Sequence, residues 1–225
     1  MERSATLVFV PELDAIWREA DTAMLRCLEL AHESFLSRGL PVGSVIGTGD
    51  GEEIGEGRNR VYDPSGGPDR LQRTSIAHAE MNALASVDTT TDSSSLTLWS
   101  SHRPCLMCAA ACEFTGVGSV VFIAPDPSDA AVVRDPDGID PEWVVVVNLL
   151  FLSGVAARSG PPSPTIARAR WREPEVVALM GTDADTALRQ QPLRAALIPL
   201  WTGITTAAQE RLNHHGRGVG PSRSV

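Results

Sequence analysis

The chain has 225 residues, enough to bury one full core, and its 43% apolar and 21% charged content is that of a globular protein and not of a disordered chain. Its net charge of −9 is concentrated in residues 1–125, which hold 17 acidic against 9 basic groups, and this weakens long-range attraction for polyanions. All 19 basic residues are arginine, so Schiff-base chemistry on a lysine and a P-loop lysine are both excluded.

Residues 1–10 carry one early Arg and an apolar run too short for a signal-peptide core, so no export signal is expected. Four cysteines, two of them in a Cys-x-x-Cys pair, fit a metal site in a reducing, cytoplasmic setting better than a disulfide framework. From Asp14 to Arg38 the residues Ile16, Trp17, Ala20, Met24, Cys27, Leu28, Ala31 and Phe35 recur at helical spacing, with Asp14 available as N-cap and Gly39 as stop. Val42 to Gly47 and Glu53 to Asn59 read as two strands of a hairpin turned by Gly49, Asp50 and Gly51. The stretch Asp63 to Thr74, with Pro64, Gly66, Gly67 and Pro68, has no apolar period and reads as a loop.

Beyond it come a helix from Ala77 to Val87, a strand from Ser95 to Ser101, a helix from Pro104 to Phe114 and a strand from Ser119 to Ala124. The apolar run Trp143 to Leu152, broken by Asn148, is too short for a membrane span and reads as part of a buried helix over Glu142 to Ala157. Val176 to Met180 is a candidate fifth strand, and Asp185 to Leu212 a last, proline-interrupted helix. One domain over 1–212 is expected, with a motif-bearing part (14–125) and a C-terminal part (126–212), followed by a disordered tail over 213–225.

Two fragments carry the chemistry: His78-Ala79-Glu80 at one helix start, and Pro104-Cys105-Leu106-Met107-Cys108 at another. Cys105 and Cys108 are three residues apart, so on a helix both sulfurs reach one ion, and the positive helix end favours the thiolate that binds zinc. With His78 they make three protein ligands, which leaves the fourth tetrahedral position open as catalytic zinc sites do. Cys112 shares the helical face but lies about 10 Å along from Cys105 at 1.5 Å rise per residue, too far for the same ion. His102, on the strand side of the turn, is a weaker alternative ligand.

Glu80, two residues after His78, is placed to move protons, and H-x-E…P-C-x-x-C is the zinc deaminase signature with its Glu as acid/base. Alone, His-Ala-Glu is a common helix start, and a lone Cys-x-x-Cys is equally redox-active, structural or merely packed. Their occurrence together in this order is what carries the reading.

On these residues the stretch Leu25 to Ala124 resembles the cytidine deaminase-like superfamily, in its branch of tRNA adenosine, guanine, cytosine and deoxycytidylate deaminases. Pro41 to Ile46, Gly57-Arg58-Asn59-Arg60, His78 to Leu84 and Thr97 to Cys112 carry the resemblance. It implies a three-layer α/β/α sandwich around a mixed sheet of about five strands, one Zn²⁺ per chain and a homodimer. It also implies that Asn59 hydrogen-bonds the substrate, although an Asn at a strand end equally forms turns. Arg103 stands where many relatives carry Glu, and the loop from Arg60 to Ala77 is longer than usual in the branch.

The expected activity is hydrolytic deamination of an amino-substituted purine or pyrimidine, as base, nucleoside or nucleotide, with release of ammonia. A tRNA-specific adenosine deaminase and a non-catalytic zinc-bearing binding module are the alternatives. The acidity disfavours nucleic acid as a partner, while Arg58, Arg60, Arg70 and Arg73 leave a local basic rim; no membrane partner is expected. Arg158, Arg168, Arg170 and Arg172 read either as contacts to one nucleotide phosphate or as solvated surface groups.

Overall fold

In a computed structural model of the chain, residues 10–65, 67, 71–129, 134–159 and 163–216 are described. The helical stretch expected from Asp14 to Arg38 is two helices, α1 (Pro11–Glu19) and α2 (Thr22–Leu36). The break falls at Ala20 and Asp21 because Asp21 caps the second helix, its carboxylate accepting from the backbone N–H groups of Ala23 (2.8 Å) and Met24 (3.1 Å). Asp14 lies within the first turn of α1, where Pro11 opens the helix instead.

Strands β1 (Gly43–Thr48) and β2 (Glu53–Arg58) form the hairpin, with Gly51 supplying the positive φ of its turn. α3 (Ala79–Leu84) is followed by β3 (Leu96–His102), α4 (Leu106–Thr115) and β4 (Ser119–Ala124). The sheet order is β2-β1-β3-β4: β1 is antiparallel to both its neighbours, and β3 and β4 are parallel, so their carboxyl ends lie side by side with His102 opposite Ala124. The alternation along β1 divides the interior. Val45 joins the large cluster with α2, and Ile46 joins a small cluster with Ala83, Leu96, Leu98 and Cys112 beneath α3 and α4. The result is the expected α/β/α layering, with four strands among the described residues in place of about five.

The missing strand is a helix. Val176 to Leu179 lies in α7 (Pro174–Leu179), with Met180 as its C-cap; Pro174 opens this helix, which packs on α5 (Pro141–Ser159). α5 is long and apolar enough to cross a membrane by composition, yet every residue from Trp143 to Val155 is buried by protein. The sheet and α2 cover one side of α5; α6 (Pro164–Arg172), α7 and α10 (Trp201–Gly216) cover the other. Between α7 and α10 the expected long helix is divided into α8 (Thr182–Gln190) and α9 (Leu193–Leu197), with Pro192 at the break and a 3₁₀ turn before α10. α10 continues through Gly216, past the expected start of the tail at 213; residues 217–225 lie outside the described residues.

A buried polar chain fastens this outer layer. Arg211 on α10, 2% exposed, donates to Glu173 and to Glu175 (2.9 Å), and its Nε to Asp135 (2.7 Å). The Asn148 amide on α5 donates to Glu173 (3.1 Å) and is the polar neighbour of the His102 ring. Removing one member of a buried ionic set leaves its partners charged and desolvated, which costs about 3–5 kcal/mol. Arg211→Met is therefore expected to lower unfolding stability in urea by about that amount; a loss below about 1 kcal/mol would show that the carboxylates are relieved by protonation or water.

Candidate active site

The two motif helices begin later than the sequence reading placed them, and this puts ligands at their caps. His78 is the N-cap of α3 and Cys105 the N-cap of α4, both in extended backbone conformation, while Cys108 lies in the first turn of α4. Pro104 precedes the cap and is not part of the helix, so its role is to hold the chain extended into Cys105. The end of β2 is tied to the same place: the Arg60 N–H donates to the Ala77 carbonyl (2.9 Å), and the Asn82 amide on α3 donates to the Arg58 carbonyl (2.9 Å). The His78 backbone is thereby fixed against the sheet.

His78 Nδ1 lies 3.6 Å from Cys105 Sγ and 3.6 Å from Cys108 Sγ, and the two sulfurs are 3.6 Å apart. Zn–S bonds of about 2.3 Å and Zn–N bonds of about 2.05 Å at tetrahedral angles require S···S near 3.8 Å and S···N near 3.6 Å, so the donor set fits zinc. Among the described residues no fourth His, Cys, Asp or Glu joins this group. Cys112 is buried in the small apolar cluster under α4, its thiol pushed up to about 11 mainly by burial. His102 is also no member of the group. Its ring packs on Phe151 (4.8 Å between centroids), and burial takes it down to about 4, leaving a neutral imidazole.

Electrostatics complete the picture. Burial lowers the His78 pKa and so favours the neutral imidazole that binds metal. Burial, followed by the nearby Glu80 charge, pushes the Cys108 thiol well up; a divalent cation is what would hold it as thiolate. Glu80, 3% exposed, has one carboxylate oxygen 3.5 Å from Cys108 Sγ and the other 3.5 Å from Ser100 Oγ on β3. Burial raises its pKa above the usual carboxylate range. A raised pKa strengthens a carboxylate as a proton acceptor, which suits a group that accepts and returns a proton.

Asn59 is buried at the end of β2, where its side-chain oxygen accepts from the Val61 N–H (3.2 Å) in a local turn, the alternative role expected for it. Its backbone carbonyl accepts from Ser34 Oγ (2.8 Å). Two residues were missed by the sequence reading. Ser100 lies beside Glu80, and Asp126, two residues beyond β4, bears on His78, Glu80 and His102 with its negative charge. The parallel pairing of β3 and β4 is what brings Asp126 beside the Pro104-Cys105 turn, and strand direction is not written in a local motif. If the triangle is the metal site, Cys105→Ala and His78→Ala will lose zinc while Cys112→Ala keeps about one zinc per chain by elemental analysis. Zinc loss in the Cys112 variant would refute the three-ligand assignment.

Residues 18–124 match the profile described as the cytidine and deoxycytidylate deaminase zinc-binding region. A tRNA(Ile)-lysidine synthase of Deinococcus deserti is 32% identical over 126 residues, which are 55% of this chain and 22% of that protein, so the chain spans about a fifth of that relative's length. Among solved structures, a guanine deaminase from Bacillus subtilis is 28% identical, covering 46% of this chain and 63% of its own with a TM-score of 0.38. One from a study of A-to-I editing by tRNA:A34 deaminases at the wobble position is 24% identical, covering 51% and 93% with a TM-score of 0.40. The matched region, just under half of the chain, contains both motif helices, the hairpin and the four strands, and it is this region that is similar to the zinc-binding region of cytidine and deoxycytidylate deaminases.

Proposed function

We propose that the chain is a hydrolytic deaminase of an amino-substituted purine or pyrimidine presented as a small molecule, acting in the cytoplasm. The observation that carries this reading is the carboxylate of Glu80 beside the His78, Cys105 and Cys108 triangle. A purely structural zinc site has no use for that carboxylate or for an open coordination position, which weighs against a non-catalytic zinc module. All four cysteines are free thiols, in keeping with a reducing compartment.

His78, Cys105 and Cys108 would hold the zinc, which supplies Lewis acidity that makes water a nucleophile near neutral pH. Glu80 accepts a proton from that water, gives it to the ring nitrogen beside the amino-bearing carbon, and then assists protonation of the departing amine. The water oxygen bonds to the carbon, the C–N bond breaks, and the products are the oxo compound and ammonia. Ser100 orients the Glu80 carboxyl, and Asn59 is placed to contact substrate with whatever its local turn leaves of the amide.

Small substrates are favoured over nucleic acid because the motif-bearing half is acidic and its basic rim is partly spent. Arg58 and Arg60 both pair with Asp63, at 2.5 and 3.2 Å, which leaves fewer guanidinium groups for phosphates; Arg70 lies outside the described residues. The test is ammonia release from a panel of bases, nucleosides and nucleotides beside inosine formation in a tRNA anticodon stem-loop. Turnover of a small substrate, lowered about 10²–10⁴-fold in Glu80→Gln with zinc and fold retained, is expected. Stem-loop editing with no small substrate turned over would overturn the substrate class, and near wild-type activity of Glu80→Gln would overturn the mechanism.

A homodimer belongs to the same reading. The outer side of α4 presents Leu106 (91% exposed) and Phe114 (93%), and the edge strand β4 adds Val120 and Val121, a surface that a second copy would cover. Sedimentation is expected to give a dimer that Phe114→Glu converts to monomer; a monomeric wild-type chain would end that part of the proposal.

A further inference from the structure

On elements other than those holding the motif residues, three arginines converge on one cleft of about 520 Å³. Arg38 follows the end of α2, Arg158 lies in the last turn of α5, and Arg189 in the last turn of α8. Phe35 and Gly154 line the cleft with them, and Asp185 is its single carboxylate. Several arginines elsewhere are matched with acids: Arg26 with Glu29, Glu33 and Glu56, Arg58 and Arg60 with Asp63, and Arg103 with Asp129. Arg38, Arg158 and Arg189 form no ion pair among the described residues. Three guanidinium groups without an ion pair, facing one carboxylate in one cleft, make a local concentration of positive charge in a chain with net charge −9.

Part of their work is local. Arg158 donates to the Arg38 carbonyl (3.2 Å) and Arg189 to the Phe35 carbonyl (3.4 Å), both at the carboxyl end of α2. Each spends one of the five N–H groups that a guanidinium carries, and the Arg38 guanidinium makes no hydrogen bond among the described residues. Arg158 is further held flat over the exposed ring of Tyr62, 3.1 Å from its centroid.

The backbone of Arg38 gives the second, independent observation. α2 ends in a Schellman motif, with the Gly39 N–H donating to Ser34 O (2.8 Å) and the Arg38 N–H to Phe35 O (3.0 Å). The residue after the cap in that motif is left-handed and most often glycine; here it is Arg38, at φ 60°. A side chain kept in a left-handed position at a helix end marks a place where the side chain is worth the strain.

We propose that Arg38, Arg158 and Arg189 form a phosphate-binding site, separate from the metal centre, for a phosphorylated small molecule. Guanidinium groups match phosphate oxygens in geometry and charge, and three of them around one cleft fit a diphosphate or a nucleotide phosphate. The site stands independently of the deaminase reading, because none of its residues touches the motif helices' ligands.

The test is calorimetric titration of the zinc-loaded chain with inorganic pyrophosphate and, in a second arm, with guanosine monophosphate. Binding is expected, weakened about tenfold or more in Arg38→Gly and in Arg158→Gln. Arg38→Gly should at the same time raise the melting temperature by about 2–4 °C, because glycine takes the left-handed conformation without strain. Loss of binding with gain of stability separates a ligand role from a structural one; should Arg38→Gly give no soluble protein, Arg38→Gln reads the same loss. Pyrophosphate binding alone assigns a free diphosphate, and tighter binding of the nucleotide assigns a nucleotide phosphate. No binding of either at millimolar concentration overturns the proposal, as does unchanged affinity in a folded Arg38 variant. A single-stranded RNA oligomer bound more tightly than both, with the same dependence on Arg38, overturns the small-molecule assignment.

Discussion

How closely two helices can lie on one hairpin governs the rest of the structure. A Cβ on Gly57 would come within 2.3 Å of the Ala79 carbonyl, and one on Gly43 within 2.2 Å of the Cys27 carbonyl. These two glycines let α3 and α2 settle on opposite faces of the β1–β2 pair at backbone distance. Were α3 lifted by the width of a methyl group, His78 would withdraw from Cys105 and Cys108, and a triangle with 3.6 Å edges tolerates little of that. The bonds from Arg60 N–H to Ala77 and from Asn82 to Arg58 then lock the short α3 in a position its six residues could not hold alone.

Burial around this arrangement explains the chemistry. The same layer that brings the ligands together excludes water from Glu80, which raises its pKa, and from His78, which keeps its imidazole neutral. Both effects come mainly from desolvation, with the Asp126 charge adding to the one on Glu80 and opposing the one on His78, so the two groups are tuned chiefly by one feature of the packing.

The site was more legible in the sequence than the fold around it. His78, Glu80, Cys105 and Cys108 are set by local spacing at helix starts, and local spacing is what a sequence displays directly. Helix limits were less exact, because a cap such as Asp21 competes with a continuous apolar period, and because Pro104 was read as inside a helix that starts two residues later. The fifth strand failed for another reason. Val176 to Met180 is an apolar run too short to show a period, and the tertiary setting of α7 between α5 and α10 decided it. Ser100 and Asp126 were out of reach because they meet the site only through sheet pairing.

The polar chain from Asn148 through Glu173 to Arg211 ties α5 to the last helix. One continuous cluster of buried side chains runs from Leu13 to Ala208, and α5 lies at its centre with no face of its own turned to solvent from Trp143 to Val155. The stretch that bears the two motifs is therefore shorter than the stretch that must fold together. Cutting the chain after β4 would strip the cover from Val45, Leu28 and Ile123 and leave a sticky half-sandwich, whereas cutting after α5 would expose a helix fit for a lipid bilayer. Transplanting this candidate site into another protein would mean carrying the helical outer layer along with it.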